Sequence, residues 1–222
     1  MYKAPSPFDI IFNPSVILKY SEIFTLLLQV LQAQDALERI RLTEKWKQQK
    51  KVSRESGEAC IITDFLHKSR VFLLGLQRYV FESCIEAPWK DFSAQLDEIA
   101  KASSIMKFTG HQTKLETLVD AHGLCLDEIY WRLFGLHDEQ KIVQNHILKL
   151  VSIIISFGRA MQGLSKQSIP QLFFSFQSTH QSFLRLLKDV VVQEEFSGKR
   201  YPSRQFSFYY ELYYSITGMP LM

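Results

Sequence analysis

The stretch Leu76–Trp89, LQRYVFESCIEAPW, decides how the rest of the chain is read. Leu76, Tyr79 and Val80 stand at i, i+3 and i+4, one stripe of a helix. Pro88 has no amide proton and biases Ala87 away from the helical region, so the pattern is expected to stop there. Trp89 follows at once and is expected to wedge an elbow between two helices. What lies upstream then leads into this elbow, and what lies downstream folds back onto it.

Working outward toward the N-terminus, a second helical pattern runs from about Glu58 to Glu86. Ile61, Phe65, Leu66, Phe72, Leu73 and Leu76 give it a broad apolar face. Gly75 inside it lowers helix propensity and marks close packing against a neighbour. Earlier still, Asn13-Pro14 is a helix start: Asn13 can cap, and a proline costs little at the first helical position. From there Ile17, Tyr20, Phe24, Leu27, Leu28 and Leu31 keep a three-four spacing, resumed by Leu37 and Ile40. The first half of this helix is apolar almost all round, which predicts a central place. It turns basic at Lys45, Lys47, Lys50, Lys51 and Arg54; a solvated helix end is favoured over a nucleic-acid contact. Before Asn13, Pro5 and Pro7 disfavour a helix, and Tyr2–Phe12 reads as a short extended arm or edge strand.

Toward the C-terminus, Phe92, Leu96 and Ile99 supply the stripe of a third helix, and Lys101–Gln112 reads as a surface loop. A fourth helix covers about Lys114–Phe134. His122 and Cys125 lie three residues apart on it, but two ligands do not make a zinc site, so a hydrogen-bonded core histidine is expected. A fifth spans about Glu139–Leu164, with Asp138 as its cap. A sixth starts at Ser168-Ile169-Pro170 and ends at Gly198-Lys199-Arg200. The tail Tyr201–Met222 is dense in aromatics and falls outside the helical pattern; it is expected to dock on its own core. The fold class is therefore all-α: about six long helices in a bundle with a short extended N-terminal arm, one helical domain over residues 1–222.

Composition limits the function. Hydrophobic residues make up 46% and charged residues 22%, which suits a soluble globular chain with a sizeable core. A net charge of +3 is too small to indicate nucleic-acid binding. Cys60, Cys84 and Cys125 are odd in number and widely spaced, which argues for free thiols in a reducing compartment. Lys3, Pro5 and Pro7 stand where a signal peptide needs an apolar core. The run Leu150–Phe157 is far short of the roughly 18 residues that a membrane span needs. An intracellular chain without a membrane span is expected. No phosphate loop, HExxH, GxSxG or kinase signature is present, and the six histidines are scattered. A non-catalytic binding protein without cofactor or metal is the reading these residues support.

The quoted stretch also resembles the C-terminal domain of the gamma-tubulin complex protein family. That family carries a helix with a Leu-Gln-x-Tyr core followed by a Glu a few residues before a Trp; here these are Leu76, Gln77, Tyr79, Glu86 and Trp89. Residues 2–30 are similar to the family's proline-containing extended segment and its Leu-x-x-Tyr-x-x-x-Phe helix, with Ile17 in the Leu position and Tyr20 and Phe24 in register. Residues 115–134 resemble its Leu-x-x-x-His-x-x-x-Leu helix through Leu118, His122 and Leu126. Against that pattern, Lys101–Gln112 reads as an insertion, and the closing Leu-Asp-Phe-Asn-like segment is faint at Gln205–Tyr210. The chain thus looks like the latter part of that domain. The resemblance implies an α-helical module that holds gamma-tubulin beside other complex subunits in a microtubule-nucleating assembly, in the cytoskeleton at a centrosome or spindle pole body. From the small net charge, no nucleic-acid partner is expected. Tyr2 and Phe8 of the arm and Phe206, Tyr209 and Tyr210 of the tail are the candidate partner contacts, because both segments lie outside the helical pattern. A generic helical scaffold or tethering subunit is the alternative.

Overall fold

The computed structural model describes residues 5, 9–42, 57–105, 111–135, 138–197 and 203–218. Among them every regular element is a helix and no strand occurs. The elements are α1 Pro14–Leu42, α2 Gly57–Arg78, a π-helical segment Tyr79–Glu86, α3 Ala87–Ile105, α4 His111–Arg132, α5 Asp138–Met161, α6 Ile169–Ser197 and α7 Ser203–Thr217. They divide into two compact units. Unit 1 holds Met1–Thr25 and Val80–Leu136, and unit 2 holds Leu26–Tyr79 and His137–Met222.

The elbow expected at Pro88 is not there. Helical backbone runs from Gly57 to Ile105 without a break, through α2, the π segment and α3. Pro88 is the second residue of α3, and Trp89 is 51% exposed, touching Phe92 at 5.5 Å between ring centroids. An α-helix resists an internal proline because the ring collides with the carbonyl four residues back. In a π-helix the bonds reach five residues back, so that carbonyl no longer lies in the ring's path. The buried positions record the change of winding. Val80, Cys84, Pro88 and Phe92 are all buried, a period of four, between the 3.6 of an α-helix and the roughly 4.4 of a π turn.

Unit 1 begins at the Asn13 cap, whose Oδ1 accepts the Val16 amide at 3.0 Å, while its carbonyl accepts that of Ile17 at 3.0 Å. The first satisfies an amide that the helix start leaves orphaned, and the second is the opening i→i−4 bond of the helix. Of the expected arm, Asp9–Phe12 form a turn and a bend, and Tyr2 and Phe8 lie outside the described residues. α3 packs on α4, and the first turns of α1 are tied to α4 by the ion pair of Lys19 with Asp127 and the hydrogen bond from the Tyr130 hydroxyl to Glu22. α4 ends in a Schellman motif: Gly135 N bonds Tyr130 O and Phe134 N bonds Trp131 O, both at 3.0 Å. The left-handed residue there is Phe134 (φ 63°), its ring buried, with Gly135 next. Gly135 has its own reason to lack a side chain, because a Cβ would stand 2.6 Å from the Tyr130 ring.

Unit 2 is built on phenylalanines. Phe65 of α2 stacks on Phe157 of α5 at 3.7 Å and tilts against Phe176 of α6 at 5.1 Å. Phe72 meets Phe176 and Phe183 edge-on. All five rings are fully buried, at about 1.5–3 kcal/mol of transfer free energy each. α1 reaches this core at Ala36, where a Cβ on Gly158 would lie 2.8 Å from the Ala36 Cβ. α5 ends three residues earlier than the apolar pattern suggests, in a second Schellman motif with Gly163 (φ 74°) in the left-handed position.

The tail also departs from expectation. Ser203–Thr217 is a helix, α7, and Phe208, Leu212 and Ile216 form its buried stripe at i, i+4 and i+8, joined by Tyr209. It docks on α2 and α6, as a tail folded on its own core should. Lys101–Ile105 and His111–Gln112, read as loop, are helical too. Among the described residues α1 is long and apolar enough to cross a membrane by length and composition, although polar residues interrupt every apolar run in it. Most of that apolar stretch is not buried: Leu18, Phe24, Leu28 and Leu31 are exposed, so the first half of α1 does not take the central place its apolar pattern predicts, while Ala33 and Ile40 further along are fully buried.

Candidate partner interface

The family-motif residues fall into both units. In unit 2, Leu76 and Tyr79 are buried at 1% exposure, and Gln77 donates from Nε2 to Gln34 Oε1 of α1 at 2.5 Å. In unit 1, Glu86 pairs with Lys90 one turn on, at 2.7 Å and well exposed, and holds the Lys90 ammonium above its usual pKa. Two of these residues thus build core, two make polar links, and the exposed Trp89 is left to face solvent.

His122 organises unit 1. Its Nε2 lies 2.9 Å from the Tyr20 hydroxyl. A neutral imidazole protonated at Nδ1 accepts that bond. Phe12, Tyr20 and Phe92 surround the ring at centroid distances of 5.8, 5.9 and 6.0 Å. Burial lowers the His122 pKa, and burial, with Cys125 second, raises that of Tyr20. The Cys125 thiol points to the Pro88 carbonyl at 3.6 Å, and burial, then Asp91 and Glu128, keep it protonated. His122 is the hydrogen-bonded core histidine that its lone position implied. Among the described residues no group of three metal-binding side chains occurs. His180 in unit 2 is also pushed down, by burial and by Lys68, and is stacked on Phe176 at 5.6 Å.

What remains for binding is surface. Unit 2 carries a groove of about 230 Å³ between α1 and α2. Leu37, Leu66 and Leu73 line it beside the polar Gln34, Glu38, Arg41, His67, Arg70 and Gln77. Leu74 lines the same groove while 52% exposed, an apolar surface of the kind helical partners cover. Of the five candidate contacts read from sequence, Tyr209 is buried at 8% exposure and belongs to the core of unit 2. Tyr210 beside it is half-buried. Phe206 lies within α7, and its side chain, like Tyr2 and Phe8, is outside what the structure describes. Sequence reasoning missed the groove because its two walls are more than twenty residues apart in the chain, and each shows only ordinary helical periodicity.

The family model described as gamma tubulin complex component C-terminal matches residues 1–205, nearly the whole chain. The chain belongs to the gamma-tubulin complex component family. It is also 26% identical over 192 residues to the protein named spindle pole body component 98 from Dictyostelium discoideum. That alignment covers 82% of this chain and 21% of the relative, so the chain spans about a fifth of that protein's length. No solved structure matches. The family is a structural one and not a known enzyme family.

Proposed function

We propose that this chain is a non-catalytic helical component of a gamma-tubulin complex, and that it holds gamma-tubulin beside other complex subunits at a microtubule-organising centre. The match of the family's C-terminal domain over residues 1–205 carries this reading. The spindle pole body relative supports the location, and the all-helical architecture with its apolar groove supports a binding role. Tyr2, Phe8, Phe206 and Tyr210 stand as the proposed gamma-tubulin contacts.

The test is direct. The purified chain, shown to be helical by circular dichroism, is mixed with gamma-tubulin and run by size exclusion. Co-elution is expected at roughly micromolar concentrations, where moderate affinities register. A folded chain that stays separate at about 10 μM refutes gamma-tubulin holding. If that same chain instead binds only other complex subunits, the scaffold role takes its place.

A further inference from the structure

The interrupted winding at Tyr79–Glu86 has a specific support in unit 1. Pro88 has no amide proton, so in the i→i+5 pattern the carbonyl five residues back, that of Ser83, is left without its helical donor. The Arg132 guanidinium occupies that place: its Nη1 donates to the Ser83 carbonyl at 2.6 Å. Glu128, one turn earlier on α4, takes the Arg132 Nε and Nη2 hydrogens at 2.9 Å each, which fixes the guanidinium plane and balances its charge. The Arg132 side chain is only 16% exposed. On either side two thiols bind across the same seam, Cys84 to the Arg132 carbonyl and Cys125 to the Pro88 carbonyl, each at 3.6 Å.

We propose that Arg132 is a register clamp: its guanidinium supplies the donor that Pro88 lacks and so holds this segment in π winding. The register has consequences along unit 1. Val80 and Phe92 are twelve residues apart and both buried. With α winding throughout, their directions would differ by roughly 120°, at about 100° per residue. The wider turn brings them onto one face, which seats Phe92 against His122 at 6.0 Å and leaves Phe81 and Trp89 pointing outward at 45% and 51% exposure. The clamp therefore decides which side chains of this segment pack and which are presented. An Arg–Glu pair that served only its own helix would not need to reach a main-chain carbonyl beside a proline.

The test is a double-mutant cycle read by amide hydrogen exchange on the full chain, with Arg132→Met, Pro88→Ala and the pair. Arg132→Met is expected to speed exchange at Val80–Glu86 at least tenfold, while α5 and α6 keep wild-type protection. Pro88→Ala returns an amide to the helix, so in that background the same arginine change is expected to speed exchange less than threefold. An equal effect of Arg132→Met in both backgrounds overturns the proposal, as does no effect in either. Should Arg132→Met alone fail to fold, recovery of the helical circular dichroism signal on adding Pro88→Ala supports the clamp, and failure to recover it overturns it.

Discussion

Replacing Gly75 by alanine tests the packing of unit 2 where it is tightest. Alanine is favoured over glycine inside a helix by about 1 kcal/mol, so propensity alone predicts stabilisation. The structure predicts the reverse. A Cβ at Gly75 would stand 2.3 Å from the Ser215 carbonyl oxygen and 2.7 Å from the Ile216 Cα, both backbone atoms of α7. A helix backbone cannot yield as a side chain does, so α7 must retreat by about 1 Å to restore ordinary contact. A gap of that size forfeits roughly a quarter to a half of the contact energy across the seam. Phe208, Tyr209, Leu212 and Ile216 pack there, each contributing about 1.5–3 kcal/mol when buried. The loss is then about 1.5–6 kcal/mol before the propensity gain is subtracted, with the net near 2–3 kcal/mol, in the range of measured overpacking costs. Urea unfolding followed by circular dichroism measures it. Gly123→Ala is the matched control, since Gly123 is also helical and a Cβ there meets nothing within 4 Å. Gly75→Ala unfolding at the same or higher urea than wild type would refute the α2–α7 packing.

Two further outcomes follow from the buried titratable groups. His122 has a folded-state pKa below its ordinary value, so between that value and about 6.5 the unfolded chain binds a proton that the folded chain does not. The stability this contributes is present above about pH 6.5 and lost as pH falls through the folded pKa; His180 acts in the same direction. Urea midpoints should drop from pH 7.5 to 5.0, and less steeply in His122→Gln, whereas equal slopes would remove His122 as a cause. Maleimide should label the exposed Cys60 in the folded chain, while the buried Cys84 and Cys125 react only in denaturant; equal labelling of all three under native conditions would contradict the packing of α4 on the π segment.

Much of the fold was legible because helix formation leaves a local record. Asn13-Pro14 announced the start of α1, and the Asn13 side chain makes the bond that its position implied. Gly75 announced a close neighbour without naming it. The errors also have physical sources. Pro88 was read as a stop because the rule against internal proline assumes α winding, and the donor that makes π winding tolerable sits on Arg132, far along the chain. The spacing Val80, Cys84, Pro88, Phe92 was the available signal, a period too long for an α-helix. The aromatic tail was read as irregular because Tyr210, Tyr213 and Tyr214 fill the outward positions of α7, which hides the contrast between buried and exposed faces.

The sequence by itself determined the class of this protein and its family: apolar residues at helical spacing are a local property, and so are the ordered motifs from Ile17 to Leu126. Tertiary structure alone decided the rest. Which carbonyl Arg132 serves, which helix lies against Gly75, and whether Tyr209 faces a partner or a core depend on groups brought together from distant parts of the chain. Periodicity shows that a face will be buried; the identity of its cover is fixed only when another element arrives.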